Sequence, residues 1–401
     1  MRFWLLSELF YPIETSTGYV MTKIAEQISN KVPVNVICGP DKYTSDTLSS
    51  NAKLPENIIL NRVNIPDLNK DHKIKRALRM IILSLKMAYK LFLKVKRDDT
   101  VMIVTNPAPL LLLVALVKRF KRFNLIIIVH DVFPENILTT GMLSKKSFIY
   151  GILSWLFNRS YRQADHIIVV GEDMKELLQI KTLQKIKCTV ITNWADVDEI
   201  FPLAQDNSDI VKYYNNPQLK NKIIIQFAGN IGRVQALKEF IEVFHQAANP
   251  DVAFVLIGSG ALKDELTETV KTKGIENVFF YPTKSRSEQN TFLNSCDIGL
   301  VTLNKGMFGL GVPSKTYNVW AAGKPVLFVG DKDSEIARNI RDHNTGWAFT
   351  WETSDELIDW LKSLKFAGRE EILIKGLSAR KTSIDVFQRS VILEKYNAIF
   401  S

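Results

Sequence analysis

The chain of 401 residues is too long for one ordinary hydrophobic core and suits two domains of nearly equal size, while its 46% apolar content excludes a disordered protein. Its 52 Lys and Arg against 42 Asp and Glu leave a net charge of +10, which favours anionic partners, although the basic residues lack the aromatic interleaving of a nucleic-acid platform. Cys38, Cys188 and Cys296 lie far apart without paired spacing, which argues against a disulfide framework or a zinc site and for a reducing, cytoplasmic setting.

The N-terminus reads Met-Arg-Phe-Trp-Leu-Leu-Ser-Glu, an apolar run cut short by Glu8, so no signal peptide is expected. Short apolar runs then alternate with longer amphipathic stretches, the pattern of parallel strands joined by crossover helices. Strands are expected near 2–6, 34–38, 58–63, 101–105, 125–129, 167–170 and 189–192. A polar stretch from Gln205 to Lys222 interrupts the alternation, which restarts near 223–228, 252–257, 278–281, 298–301 and 325–329. The expected division is therefore an α/β domain over 1–200, a second over 201–383, and a C-terminal helix within 384–401 that could pack on either. Two Rossmann-like domains facing across a cleft would direct the carboxyl ends of both sheets, where such folds bind ligands, toward one another.

The motifs at strand ends carry the chemistry. The strand Ile223 to Ala228 runs into Gly229-Asn230-Ile231-Gly232-Arg233, and a helical pattern continues through Lys238 and Phe240. Glycine lets a ligand approach the backbone, and the free amides of a helix start attract a diphosphate. Arg233 and Lys238 add two cations. A second strand, Val252 to Ile257, ends in Gly258-Ser259-Gly260, again before a helix. Further on, Gly309-Leu310-Gly311-Val312-Pro313-Ser314-Lys315 offers amides, a hydroxyl and a cation, and Ala321-Ala322-Gly323-Lys324-Pro325 launches the next strand. In the first half, Val129-His130-Asp131-Val132-Phe133-Pro134-Glu135 leaves a buried strand, and Thr105-Asn106-Pro107 leaves another. The segments Gly141-Met142-Leu143, Tyr161 to Asp165, Thr192-Asn193-Trp194 and Asp333 to Ala337 complete an ordered set.

In that order the segments resemble the retaining, two-domain glycosyltransferases of family 4, with the GT-B fold, and most of all the subgroup that builds bacterial surface polysaccharides. The resemblance covers nearly the whole chain. It implies that Gly229 to Arg233 and Lys238 hold the diphosphate of a nucleoside-diphosphate-sugar donor, UDP being the expected nucleotide, with Ser314 and Lys315 assisting. It places His130 beside the transferred sugar, with Asp131 and Glu135 on the acceptor side, where either could equally cap a helix. Thr17-Gly18 stands where similar proteins carry Gly-Gly in a loop that touches the donor phosphates. The family's Glu pair is replaced by Leu310 and Asn318; Asn318 can still hydrogen-bond a ribose, whereas Leu310 cannot replace a carboxylate. No cofactor and no metal is implied, and Asp196-Val197-Asp198 and Asp331-Lys332-Asp333 are read as loop residues.

Retention, and a lipid-linked or oligosaccharide hydroxyl as acceptor, follow from the resemblance alone. A nucleotide-sugar epimerase of the same fold and an inactive homologue acting as a partner subunit are the alternatives. An anionic membrane surface is a further expected partner, at the inner face of the cell membrane. From Lys70 to Arg97 there are ten Lys or Arg and one Asp; Lys75, Arg79, Lys86, Lys90 and Lys94 fall along one side of a helix, and Ile74, Leu78, Ile81, Ile82, Leu85, Ala88, Tyr89 and Phe92 occupy much of the rest. Such a helix can lie in an anionic lipid surface or serve as a crossover helix with solvated cations. The cluster Lys118 to Phe123 adds to the basic side, and the apolar run Leu110 to Val117 is too short to cross a bilayer.

Overall fold

The computed structural model describes residues 2–41, 53–65, 73–139, 141, 143–204 and 213–399. Residues 70–72 of the basic segment, the side chain of Ile74, Met142, and 205–212 of the polar stretch lie outside the described residues. The chain forms two compact units: Met1–Thr192 with Gly309–Gly311 and Ile392–Ser401, and Asn193–Phe308 with Val312–Val391.

The first unit runs β1 (Phe3–Ser7), α1 (Ser16–Ser29), β2 (Val34–Cys38), β3 (Ile58–Arg62), α2 (Lys73–Lys94), β4 (Thr100–Val104), α3 (Ala108–Lys121), β5 (Asn124–Val129), α4 (Glu135–Thr139), α5 (Phe148–Tyr161), β6 (His166–Val169), α6 (Glu172–Thr182) and β7 (Lys187–Val190). All seven strands pair in parallel in the order β3-β2-β1-β4-β5-β6-β7. Runs such as Leu125-Ile126-Ile127-Ile128-Val129 are buried throughout, as strands covered on both faces by helices must be. The chain order reverses between β1 and β4, the crevice at which doubly wound sheets bind ligands.

The second unit contains β8 (Ile223–Ala228), α7 (Leu237–Ala247), β9 (Val252–Ile257), α8 (Lys263–Thr272), β10 (Val278–Tyr281), α9 (Gln289–Asn294), β11 (Ile298–Thr302), α10 (Lys315–Ala321), β12 (Val326–Val329), α11 (Glu335–His343), β13 (Gly346–Phe349), α12 (Ser354–Ser363) and α13 (Glu370–Asp385). Its sheet is also parallel, in the order β10-β9-β8-β11-β12-β13, with the reversal between β8 and β11. α7 buries Leu237, Phe240, Ile241 and Phe244, a 3.6-period stripe, and Phe240 meets Phe254 of β9 edge-on at 5.0 Å.

Two elements depart from the sequence expectation. β13 is an additional edge strand, four residues long and without a β-branched residue, so neither length nor composition marks it; Gly346 starts it with φ +156°. The helix expected over the last residues begins only at α14 (Arg389–Asn397). Residues 384 and 385 instead close α13, because Phe387 is buried against Tyr317 and Trp320 (5.0 and 5.6 Å) and Gln388 bridges to Ala195. Ile392, Leu393 and Tyr396 of α14 are buried, and residues from 392 onward belong to the first unit.

Within the second unit the stretch after Asn193 is pinned firmly. Asp196 is 4% exposed and accepts from Trp194 Nε1 (3.2 Å), Arg389 Nη1 (3.1 Å) and Arg286 Nη2 (2.7 Å). Arg380 donates to the carbonyls of Ile200 and Ala321 at 3.0 and 2.8 Å. The first Asp-x-Asp triplet is therefore structural, its buried carboxylate being neutralised by two guanidinium groups.

Candidate functional site

In the second unit the two glycine turns are built on one another. Gly229 N–H donates to Ile257 O (2.9 Å), Ile231 N–H to Ser259 O (2.8 Å), and Leu262 N–H to Ile231 O (3.1 Å), so the loops after β8 and β9 are laced by backbone hydrogen bonds. Such contact leaves no room for side chains. A Cβ on Gly258 would lie 2.0 Å from Gly229 O, and one on Gly260 2.3 Å from Ile231 O. Gly229 is different: its φ is +144°, but a Cβ there would meet nothing within 4 Å. The outer turn thus keeps a bare, solvent-facing stretch of backbone at the end of β8, where an anion can approach.

Lys315, the first residue of α10, places its ammonium 3.3 Å from the centroid of the buried Phe227 ring, two residues before Gly229. The residue as a whole is half-buried, but its ammonium is withdrawn from solvent, and that desolvation pulls its pKa down to about 7. A cation held over an aromatic face is stabilised further when a phosphate arrives.

The other sequence candidates are placed less uniformly. Arg233 is exposed on the turn, and its carbonyl accepts from Asn304 Nδ2 (2.8 Å). Lys238 lies on the exposed face of α7, where its ammonium pairs with Glu265 at 2.8 Å. Asn230 is exposed, and Gly232 is buried between the Asn230 and Gln235 amides. Asn318 Oδ1 accepts from the Asp196 amide at 3.4 Å, which leaves its Nδ2 to donate to a ligand.

The first unit brings His130, Asp131 and Glu135 together at the end of β5. The backbone N–H groups of His130 and Asp131 both donate to the buried Thr105 Oγ1 at 3.3 Å, fixing the strand end. His130 Nε2 is enclosed and has no partner among the described residues, and burial pulls the imidazole pKa down to about 4. It is therefore neutral near pH 7, a donor or acceptor rather than a charge. Burial pushes the Asp131 carboxyl up, and Asn136 Nδ2 donates to it at 2.9 Å. Glu135 is tied to the buried Lys181 at 2.6 Å and to the Tyr150 hydroxyl at 3.4 Å, an ion pair that anchors α4 to α6.

The segment Gly309–Gly311 is part of this unit. Leu310 O accepts from Val132 N–H (3.0 Å) and Asn136 Nδ2 (3.4 Å), and Gly309, at φ +69°, donates to Asp173 Oδ2 (3.4 Å). The Leu310 side chain is buried and brings an apolar surface where a carboxylate was the family expectation. Gly18 is required by local packing, because a Cβ there would lie 2.4 Å from Ile13 O; its N–H is capped by Thr15 Oγ1, and Thr17 is half-exposed beside it.

Two contributors escaped the sequence reading, and a third, Thr105, was read only as part of a strand-end segment. Thr105 positions the His130 strand end, Lys263 steadies the second glycine turn by donating to Gly258 O (3.1 Å), and Gln235 holds a buried Oε1 without a partner among the described residues. A hydroxyl residue one place past a strand was the available signal for Thr105. Nothing in the residue pattern singles out the other two.

Two doubly wound parallel units in one chain define a protein of the GT-B type. The profile of the family "Glycosyl transferases group 1" matches residues 212–366, and that of "Glycosyltransferase Family 4" matches 19–199. "Probable glycosyltransferase WbjE" of Pseudomonas aeruginosa is 33% identical over 346 residues, 86% of this chain and 85% of that protein. The chain belongs to the family 4, group 1 glycosyltransferases. "Putative colanic acid biosynthesis glycosyl transferase WcaI" of Escherichia coli is 24% identical over 52% of each chain. The crystal structure of Anabaena HepE in complex with UDP and glucose superposes with a TM-score of 0.70 over 100% of this chain and 99% of that one, at 17% identity.

Proposed function

We propose that the chain is a retaining glycosyltransferase that moves a hexosyl or N-acetylhexosaminyl group from a nucleoside-diphosphate sugar, UDP being the expected nucleotide. The acceptor is a hydroxyl of a lipid-linked or oligosaccharide substrate in bacterial surface-polysaccharide synthesis, reached from the cytoplasm at the anionic inner face of the membrane. The observation that carries the reading is the open, side-chain-free Gly229 at the end of β8 together with the desolvated Lys315 ammonium over Phe227 of the same strand. When the glycosidic bond breaks, negative charge grows on the departing phosphate, and amides and a cation already in place stabilise it without reorganisation. Arg233 supplies a second, mobile cation. In retaining transfer without a protein nucleophile, the departing phosphate oxygen accepts the proton of the incoming hydroxyl. A neutral His130 then serves as a hydrogen-bond partner to the sugar. The UDP and glucose bound to HepE and the colanic acid pathway in the name of WcaI support the donor and the setting.

Thermal shifts against UDP, GDP, TDP and CMP test the base. Turnover of matching sugar donors with membrane extract as acceptor then tests the reaction. Release of nucleotide with radiolabel appearing in extract lipid is expected. Interconversion of two nucleotide sugars without acceptor would make the chain an epimerase, and nucleotide binding without either reaction would make it an inactive partner subunit.

A further inference from the structure

α2 of the first unit carries three stripes. Leu83, Met87 and Leu91 are buried. Most of the basic stripe is turned onto the unit itself: Arg79 pairs with the buried Glu8 at 2.5 Å, Lys86 and Lys90 donate to the carbonyls of Asn64 and Arg62 at 2.9 and 2.8 Å, and Lys94 donates to Asn61 Oδ1 at 2.6 Å. This corrects the expectation that these lysines form the lipid-facing side. The third stripe, Leu78, Ile81, Leu85, Tyr89 and Phe92, recurs every three or four residues and points away from the unit, with Tyr89 65% exposed.

The neighbouring helices continue that surface. α3 packs on α2 and α5 on α3. α3 exposes Leu116 and Phe120, the latter at 69%, and α5 exposes Phe148 (82%), Ile149, Ile152 and Trp155 (61%). An apolar surface spread over three adjacent helices far exceeds the isolated exposed residues of an ordinary monomer. Its charge selects the occupant. None of the three helices contains an Asp or Glu; exposed Arg119 and Arg159 lie on α3 and α5, Arg122 directly follows α3, and exposed Lys145 and Lys146 precede α5. Arg159 lies over the Trp155 ring (5.7 Å) and Lys121 over the Phe92 ring (4.5 Å). A second copy of the same face would meet it with like charge. Aromatic and aliphatic side chains inside a cationic rim match the interfacial layer of an anionic bilayer.

We propose that the α2–α3–α5 surface is a membrane-docking face whose apolar side chains enter the lipid interface, the cations around them contacting anionic headgroups. The inference rests on the glycosyltransferase reading only for its purpose, delivery of the chain to a lipid-linked acceptor. Among the described residues no helix is long and apolar enough to cross a membrane, so insertion is shallow.

Flotation of the full chain with phosphatidylcholine–phosphatidylglycerol vesicles tests it, alongside the triple variant Phe148→Ser, Ile152→Ser, Trp155→Ser, whose three positions are exposed and whose fold is checked by circular dichroism. Wild-type protein is expected to float, and to keep part of its binding at about 0.5 M salt, where the screening length is only a few ångström. The triple variant is expected to lose at least about tenfold in partitioning, since each large apolar side chain withdrawn from water contributes substantially. Equal flotation of the variant, no flotation of wild type at low salt, or a wild-type dimer that the variant dissociates would each overturn the proposal. A nucleotide-induced thermal shift without flotation defeats the docking face alone. Flotation without any nucleotide shift defeats the glycosyltransferase reading alone.

Discussion

Lys315 is a lysine whose burial leaves it half-charged at neutral pH, and a bound diphosphate should reverse that. With a pKa of about 7 in the free protein, Lys315 is nearly fully protonated at pH 6 and only about one-tenth protonated at pH 8. An adjacent diphosphate favours the ammonium and raises the pKa in the complex. The sign follows directly: the protonated form binds, so affinity is full below the free-state pKa and falls as pH rises through it. Between pH 6 and pH 8 the dissociation constant should rise by about tenfold, equivalent to roughly 1.4 kcal/mol. Isothermal titration calorimetry with a UDP-hexose, whose diphosphate has no proton to gain in this range, reads both affinity and proton uptake when repeated in buffers of different ionisation enthalpy. Uptake approaching one proton is expected at pH 8, and Lys315→Gln should abolish both the uptake and the pH dependence. A pH-independent affinity with no proton uptake in the wild type would refute the reasoning, because it would mean that the ammonium over Phe227 never faces the ligand.

The remaining expectations concern the other strand-end residues. Arg233→Ala should lower turnover by on the order of 10²-fold with the fold intact, whereas Lys238→Ala, whose ammonium is held by exposed Glu265, should cost less than about tenfold; equal large losses in steady-state kinetics would show that Lys238 leaves Glu265 for the diphosphate. His130→Ala should depress turnover more than nucleotide affinity, and the reverse split would make it a structural strand-end residue. Because the folded pKa of His130, about 4, lies below its ordinary 6.5, its contribution to stability is present above pH 6.5 and is lost as pH falls toward 4; acid denaturation should flatten in this window in His130→Gln. Gly258→Ala forces a Cβ to within 2.0 Å of Gly229 O and should destabilise the second unit by about 3 kcal/mol, lowering its Tm by roughly 6 to 12 °C; an unchanged melting curve would contradict the laced-loop geometry.

Strands such as Leu125–Val129 and Val252–Ile257 were legible because fully buried parallel strands read as unbroken apolar runs. The glycine turns were legible because backbone-to-backbone contact admits no other residue at Gly258 and Gly260. Periodicity failed where it had two answers. α2 has apolar residues on two opposite sides, and a helical repeat cannot say which side meets the sheet; the lysines between them looked free because their carbonyl partners at Arg62 and Asn64 are distant in sequence. The ion pair of Lys238 was hidden for a related reason, since its partner Glu265 sits on the next helix. The desolvation of Lys315 was invisible for want of any sequence signal linking it to Phe227, 88 positions earlier. Long-range side-chain partners are what a local pattern omits.

The return of α14 to the first unit has a consequence for biosynthesis. Ile392, Leu393 and Tyr396 fill space in a unit whose other residues are almost all made before residue 193, and Glu394 reaches Gln27 on α1. A growing chain therefore carries an unfinished first unit, with the apolar surface that α14 will cover still open, until Ile392, Leu393 and Tyr396 have left the ribosome. The second unit, whose residues end at Val391, is complete before the first. Loss of α14 would therefore damage the unit that is translated first rather than the one made just before it.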